Sequence, residues 1–148
     1  MEIIYKDNKY DLNIEMTSED STDRDTYYGD TTVKFDIQNI FIKENITEIN
    51  VIRNQTSKEL EIYDEDDNCG IYSIKMTAKA IIKLDNKYID EAINRGGEYN
   101  INDDITVQII HEEFSNIEHK SGYKFTDDEI ESYLQSDEVY DAILLTVK

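Results

Sequence analysis

The run 64–70 (DEDDNCG) is the part of the chain that most resembles a metal site. Its first, third and fifth residues match the positions from which side-chain oxygens coordinate the ion in a calcium-binding loop. The same pattern requires glycine at its sixth position and a bidentate glutamate at its twelfth, and Cys69 and Lys75 stand there instead. We therefore predict an acidic hairpin tip here, with weak binding of divalent cations by its carboxylates left open.

Two histidines and one cysteine are the other candidates for chemistry. Zinc sites usually have three or four ligands at characteristic spacing, so His111 and His119 are interpreted as surface residues, the first in a strand and the second in a polar connection. A nucleophilic cysteine needs an electropositive setting, whereas Cys69 follows Asp66, Asp67 and Asn68. We expect no catalytic residue, no metal and no cofactor, and hence a protein that is not an enzyme.

Acidic residues form four clusters, at 19–30, 59–67, 127–131 and 137–141. The chain holds 34 Asp and Glu against 15 Lys and Arg, which gives a net charge of −19. Solubility of a small domain needs a net charge of only about 2 to 8 in magnitude, so the clusters together favour a role in recognition. Tyr27-Tyr28 adds aromatic side chains of a kind enriched at protein interfaces. The predicted partner-binding residues are Glu19, Asp20, Asp23, Asp25, Tyr27, Tyr28, Glu59, Glu61, Asp64, Glu65, Asp66, Asp67, Asp127, Asp128, Glu131, Asp137, Glu138 and Asp141.

A surface this acidic repels nucleic acid and anionic membranes and attracts basic proteins. Duplex DNA carries one charge per ~1.7 Å of axis, so a net charge of −19 corresponds to about 32 Å of duplex. A compact chain of this length is about 38 Å across, so one face is large enough to imitate a short duplex. We expect the partner to be a basic nucleic-acid-binding protein, with carboxylates of this chain in the place of phosphates.

The elements that position these clusters are predicted to be mainly β-strands in a single domain spanning 1–148. With 39% hydrophobic residues, eleven tyrosines and four phenylalanines, the chain has enough apolar material to fold. Apolar residues occupy every second position from Tyr72 to Leu84, which predicts a strand whose other face carries Lys75, Lys79 and Lys83. Pairing with the preceding strand is expected to place Leu60 opposite Met76, Ile62 opposite Ile74 and Glu61 opposite Lys75.

Other strands are predicted from shorter patterns. A hairpin is expected from 3–5 and 10–16, and an acidic loop over 17–30. The alternation of apolar and polar residues shifts by one position near Gln38-Asn39, which predicts a bulge. Residues 54–57 are expected to form a turn. Further strands are expected from 105 to 109 and from 139 to 147.

Helical signals occur late in the chain. A short helix is predicted over residues 88–95, and it is expected to end at Gly96-Gly97. Thr126 and Glu129 match a capping box, with Ile130, Tyr133 and Leu134 at helical spacing behind it. The predicted fold class is α+β, mainly antiparallel sheet with one or two short helices in the C-terminal third.

We expect the protein to be cytoplasmic, from its cysteine content, its N-terminal residues and its lack of long apolar runs. A single cysteine excludes a disulfide framework, and the N-terminal residues lack the basic and apolar regions of a signal peptide. No apolar run reaches the roughly 18 residues of a membrane span.

In size, charge and predicted α+β fold the chain resembles the small acidic anti-defence proteins of phages, which include anti-CRISPR proteins and DNA-mimicking anti-restriction proteins. The resemblance includes no shared sequence motif and transfers no residues. It implies a non-enzymatic inhibitor of a CRISPR effector or another defence nuclease, acting in the host cytoplasm. The alternatives are an immunity protein that neutralises a basic toxin such as a nuclease, an acidic metal-dependent hydrolase and a structural phage component.

Overall fold

The computed structural model describes the backbone of residues 1–16, 22–23, 27–102, 105–134, 138–140 and 143–148, and the side chains of all of these except 16, 22–23, 27–30, 106 and 138–140. Within these residues the elements are β1 (Glu2–Tyr5), β2 (Asn8–Met16), β3 (Thr22–Asp23), β4 (Tyr27–Ile42), β5 (Ile46–Tyr63), β6 (Cys69–Asp85), α1 (Asn86–Asn94), β7 (Glu98–Ile101), β8 (Ile105–Gly122), α2 (Asp127–Leu134), β9 (Glu138–Tyr140) and β10 (Ile143–Val147). The fold class is confirmed as α+β, mostly antiparallel sheet, with α2 in the C-terminal third and α1 just before it.

The larger sheet has the strand order β3-β4-β5-β6-β8-β9 and is antiparallel throughout. Its central strand β6 buries every second residue from Tyr72 to Leu84 and exposes Lys75, Lys79 and Lys83, as the alternation predicts. The bulge expected near Gln38 is present, because the register between β4 and β5 shifts between Ile37 and Asn39.

The smaller sheet has the order β1-β2-β10-β7. The predicted N-terminal hairpin is confirmed, and its turn lies at Lys6-Asp7, where both residues have positive φ angles of 47° and 67°. The predicted strand 139–147 is instead two strands in different sheets. β9 pairs with β8, whereas β10 lies between β2 and β7.

Two hydrophobic clusters lie along the same face of β6. In the first, the smaller sheet and α1 pack against one end of the strand, around Ile82 and Leu84. In the second, α2 packs against the other end, around Tyr72 and Ile74. Alternation on β6 therefore fixes one apolar face, and different elements cover its two ends.

Two sequence predictions about β3, β4 and β5 are wrong. Residues 54–57 form no turn, because β5 continues from Ile46 to Tyr63. The acidic stretch 17–30 is not a loop throughout, since Thr22–Asp23 and the start of β4 at Tyr27 are strands. Residues 17–21 and 24–26 lie outside the described part of the chain.

The predicted pairing of β5 with β6 is wrong by four residues. Leu60 lies opposite Tyr72, Glu61 opposite Ile71 and Ile62 opposite Gly70. A register shift between Ser57 and Leu60, where Glu59 has a φ of 51°, sets this pairing. The bulge exposes Glu59 while keeping Leu60 in the core.

Asp90 on α1 ties the helix to the N-terminal hairpin. Its carboxylate accepts hydrogen bonds from the Lys6 ammonium (2.9 Å) and the Tyr5 hydroxyl (2.8 Å). The Lys6 ammonium, and then the Tyr5 hydroxyl, hold the pKa of Asp90 below its ordinary value.

The stabilisation from Asp90 is expected to depend on pH. Because its folded pKa is below the unfolded value of about 3.9, the stabilisation is complete above that value and is lost as pH falls through the folded pKa. We expect D90N to be less stable than the wild type near neutral pH, with the difference shrinking below about pH 3. Urea denaturation of both proteins at several pH values measures this, and a difference that does not change with pH would contradict it.

Candidate functional site: the acidic end

The tip of the β5–β6 hairpin is organised by Asp64. Its Oδ1 atom accepts hydrogen bonds from the backbone N–H groups of Asp66 (3.0 Å) and Asn68 (2.9 Å), and its Oδ2 atom accepts one from the Asn68 side chain (2.9 Å). The Asn68 side chain and these N–H groups hold the pKa of Asp64 below its ordinary value. Asp64 is therefore a structural residue of the tip, and Glu65, Asp66 and Asp67 are its exposed charges.

Helix α2 begins at a capping box. The Thr126 hydroxyl accepts a hydrogen bond from the Glu129 N–H (3.2 Å), and the Glu129 carboxylate accepts one from the Thr126 N–H (3.3 Å), as the sequence predicts. Asp127 and Asp128 are exposed in the first turn, where the helix dipole favours negative charge. Glu131 is half-buried on the following turn.

Apolar packing holds α2 against the β5–β6 hairpin. Ile130, which is fully buried, and Leu134 lie in one cluster with Phe125. The sheet residues of that cluster are Leu60, Ile62, Tyr72 and Ile74. Because these sheet residues flank the hairpin tip in sequence, the packing brings α2 to the tip.

Tyr72 fixes the segment that leads into α2. Its buried hydroxyl donates a hydrogen bond to the Tyr123 carbonyl (3.1 Å) and accepts one from the Phe125 N–H (2.6 Å). The Tyr123 N–H donates to the Cys69 carbonyl (2.7 Å). Gly70 permits this close approach, because a Cβ at that position would collide with the Tyr123 carbonyl.

Aromatic rings lie between the hairpin tip and α2. The Phe125 ring contacts the rings of Tyr123 and Tyr133, with centroid distances of 4.7 Å and 5.7 Å. Desolvation, followed by the negative charges of Glu129, Asp64 and Glu65, raises the pKa of the Tyr133 phenol. The acidic residues on both sides of Tyr133 thus act on the same phenol, although about 65 residues separate them in sequence.

Tyr63 lies beside the hairpin tip, where it pairs with Cys69 on the face of β5 opposite to Leu60 and Ile62. Its hydroxyl donates a hydrogen bond to Glu61 Oε2 (2.8 Å), and that carboxylate, together with Cys69, raises the pKa of the phenol. The residues predicted from sequence to bind a partner do not include Tyr63, Tyr123 or Glu129. Glu129 was visible as part of the capping box, whereas nothing local in the sequence marks the two tyrosines.

Charge is distributed unevenly over the molecule. We define the acidic end as residues 58–70 and 118–134, which together hold eleven acidic residues and three lysines. Segments 17–30, 103–104 and 135–142, which are described only in part, hold ten acidic residues and one arginine. The remainder of the chain has thirteen acidic and eleven basic residues and is close to neutral.

The structure brings together half of the predicted site residues. The acidic end contains Glu59, Glu61, Asp64, Glu65, Asp66, Asp67, Asp127, Asp128 and Glu131. The backbone of Tyr27 and Tyr28 lies beside Ile62 and Glu61, and Asp23 pairs with Tyr28, so these three residues border the same end.

The other predicted site residues do not join the acidic end within the described structure. Glu138 pairs with Val107, near the opposite end of β6. Five further residues lie outside the described part of the chain, namely Glu19, Asp20, Asp25, Asp137 and Asp141.

The two histidines do not form a site together. His119 is in β8, so the expected polar connection is wrong, and its Nε2 atom lies 3.1 Å from the Gly122 carbonyl. His111 pairs with Lys79 and His119 with Tyr72, positions about 23 Å apart along β6. No group of three His, Cys, Asp or Glu side chains among the described residues is arranged to hold a metal ion.

The chain matches no known protein family, no curated protein and no solved structure. Neither of the helices in the described residues is long and apolar enough to cross a membrane.

Proposed function

We propose that the protein is a non-enzymatic inhibitor that binds the basic nucleic-acid-binding surface of a partner protein through its acidic end. The observation that carries the proposal is the uneven charge. Eleven acidic residues against three lysines occupy one end, while most of the remaining described chain is close to neutral. A surface that served only solubility would not need its negative charge concentrated in this way.

The geometry of the acidic end suits a basic groove. Its carboxylates project from a capped helix turn and from a hydrogen-bonded hairpin tip, so they are held in place before binding. Holding like charges together costs folding stability, and a basic partner would offset that repulsion on binding. Such a charge also accelerates association at low salt.

Aromatic residues would add apolar contact to the electrostatic attraction. Tyr123 is 47% exposed beside Phe125, and Tyr133 and Tyr63 are half-buried among the carboxylates. Tyrosine contributes contact area at a low entropic cost and is enriched at interfaces. The acidic end thus combines the two features that a protein partner needs, complementary charge and ordered apolar area.

The kind of inhibitor we propose is an anti-CRISPR protein or a similar phage anti-defence protein, acting in the cytoplasm of the host. The support for this is the resemblance in size, charge and α+β fold. An immunity protein that neutralises a basic toxin would use the same surface and is the second candidate. We do not propose the metal-dependent hydrolase, because the Asp64 carboxylate of the calcium-like run already accepts three hydrogen bonds within the tip.

The test begins with capture of partners from host lysate on the immobilised protein, followed by purification of the captured protein. We expect the partner's own nucleic acid to compete with this protein for binding, and the partner's nuclease activity to fall as this protein is added. A CRISPR effector or restriction enzyme as partner supports anti-defence, and a toxin supports immunity. A partner that binds this protein equally well when saturated with nucleic acid would contradict the proposal.

A further inference from the structure

The outer face of the larger sheet, opposite to the face that carries both hydrophobic clusters, is open to solvent along its two central strands. β5 and β6 lie between β4 and β8. Their outward-facing residues within 46–56 and 73–85 are all exposed or half-buried. Lys75, Lys79 and Lys83 project from this face at every fourth position of β6 and span about 26 Å. In a chain with a net charge of −19, this face is an exception.

Two isoleucines lie among these lysines. Ile52 on β5 is opposite Lys79, and Ile81 lies between Lys79 and Lys83 along β6. Both isoleucines are half-buried. We define the lysine stripe as the three lysines together with Ile52 and Ile81. The lysine stripe therefore offers positive charge and a small apolar area on one flat surface.

The lysines of the stripe have no partner in their own copy. None of them forms an ion pair with a described residue. Five carboxylates on the same face already have other partners, namely Asp36 (Asn54 side chain, 2.9 Å), Glu48 (Lys43 ammonium, 3.0 Å), Asp85 (Lys87 N–H, 2.9 Å), Glu113 (His111 Nε2, 3.2 Å) and Glu118 (Lys120 ammonium, 3.0 Å). The three ammonium groups are therefore available to another molecule.

The acidic end of the same copy cannot reach most of the lysine stripe. Helix α2 packs on the other face of β6, against Tyr72 and Ile74. The hairpin tip ends near Asn68, and Lys79 lies eleven residues further along the strand, about 36 Å away. Carboxylates of an acidic end can therefore meet Lys79 or Lys83 only if they belong to another copy.

We propose that the lysine stripe binds the acidic end of a second copy of the chain. The charges are complementary, since the acidic end holds eleven acidic residues and three lysines. Tyr123, which is 47% exposed in the acidic end, supplies an aromatic ring for contact with Ile52 and Ile81. Because the two surfaces differ, the contact is heterologous, and its repetition links copies into a row or a ring rather than a two-fold pair.

A compact acidic surface suits the lysine stripe better than a nucleic acid or a membrane does. Along β6 the acidic end of the same copy begins at Gly70, about 17 Å beyond Lys75. A duplex or a bilayer laid on this face would extend past Lys75 and be repelled there. The acidic end of a second copy is small enough to avoid that repulsion.

The net charge of −19 on each copy does not prevent the contact. Outside the acidic end and the partly described segments, the chain holds thirteen acidic and eleven basic residues. Charges more than about 8 Å apart are largely screened at physiological salt, so the local attraction decides. The inference does not rest on the proposed function, although a copy whose acidic end is occupied would not be able to bind a partner there.

Sedimentation velocity at low salt tests the assembly. The wild type should form oligomers that grow with protein concentration and dissociate when salt is added. K75Q/K79Q/K83Q should self-associate about tenfold more weakly, because three exposed ion pairs are lost. The matched control K9Q/K87Q/K148Q removes the same charge from exposed lysines outside the stripe and should assemble like the wild type. Circular dichroism checks that all variants are folded. A wild type that is monomeric at every concentration, or a stripe variant that assembles as well as the control, would overturn the inference.

A mixing experiment tests which surfaces meet. E65Q/D66N/D128N neutralises exposed carboxylates of the tip and of α2 and leaves the lysine stripe intact. At a concentration where neither this variant nor K75Q/K79Q/K83Q associates alone, their mixture should form a 1:1 complex and nothing larger, since each keeps one of the two surfaces. A mixture that stays monomeric would contradict the proposed contact.

Other occupants of the lysine stripe would be recognised by direct binding. Fluorescence anisotropy with a labelled DNA duplex, and flotation with vesicles that contain phosphatidylserine, should show no binding by the wild type. Binding of either probe that K75Q/K79Q/K83Q loses and K9Q/K87Q/K148Q keeps would show that the stripe takes nucleic acid or lipid, and would overturn the assignment to a second copy.

Discussion

The variant E65K/D66K/D128K is expected to bind the partner about 100-fold more weakly than the wild type while keeping its fold. All three side chains are exposed, and they represent both the hairpin tip and α2. Each reversal replaces an attraction to a basic surface with a repulsion. If each costs about 1 kcal/mol of binding free energy, the three together weaken binding about 100-fold. Asp64 is left in place because its hydrogen bonds organise the tip.

The matched control is E2K/E15K/E44K, which changes the net charge by the same amount with exposed residues outside the acidic end. Isothermal titration calorimetry with the purified partner, at fixed salt, compares the three proteins. The control should bind within a few-fold of the wild type, since only the long-range attraction is reduced. Equal losses in both triple variants would show that net charge alone matters and that the acidic end is not the contact surface.

The variant I130A is expected to lose about 2–5 kcal/mol of unfolding free energy and to weaken partner binding. Ile130 is fully buried and contributes to the cluster that holds α2 against the hairpin. Removing it leaves a cavity beneath α2, so Asp127, Asp128 and Glu131 lose their fixed position beside the tip. Urea denaturation measures the stability, and calorimetry at a temperature where the variant stays folded measures the binding.

Its control is I89A, which truncates an equally buried isoleucine on α1 in the other cluster. The stability loss should be similar, because the residue type and burial are the same. Partner binding should remain close to that of the wild type, since α1 is remote from the acidic end. If I130A and I89A affected binding equally, the placement of α2 would have no special role in recognition.

Local sequence patterns were sufficient to predict several of the strands and helices. Alternation from Tyr72 to Leu84 predicts β6 and its buried face, and the Thr126 capping box predicts the start of α2. Both signals depend on near neighbours in sequence, namely side-chain period two and hydrogen bonds within one helical turn. The bulge near Gln38 likewise follows from a change of phase within a single strand.

The β5–β6 register could not be predicted in the same way. Period-two alternation is unchanged by a shift of four residues, so opposing Leu60 to Met76 or to Tyr72 buries the same face. The bulge between Ser57 and Leu60 decides between them, and it depends on a positive φ at Glu59, a residue that does not favour this conformation. Alternation therefore identifies the faces of a hairpin but not its pairing.

The acidic end required tertiary packing that the sequence does not reveal. The two acidic clusters at 59–67 and 127–131 were each visible, but their proximity depends on Ile130 and Phe125 packing against Leu60 and Ile62. The hydrogen bonds of Tyr72 to the segment before α2 add to this placement. Composition alone therefore predicted the charge, whereas its concentration at one end depends on long-range contacts.

Hydrogen–deuterium exchange of the protein, free and bound to its purified partner, shows whether the acidic end is the contact surface. We expect slower exchange on binding in residues 58–70 and 118–134, with little change along the opposite end of the larger sheet. Protection confined to residues 75–83 of β6, the stretch that exposes Lys75, Lys79 and Lys83, with unchanged exchange at the acidic end, would contradict it.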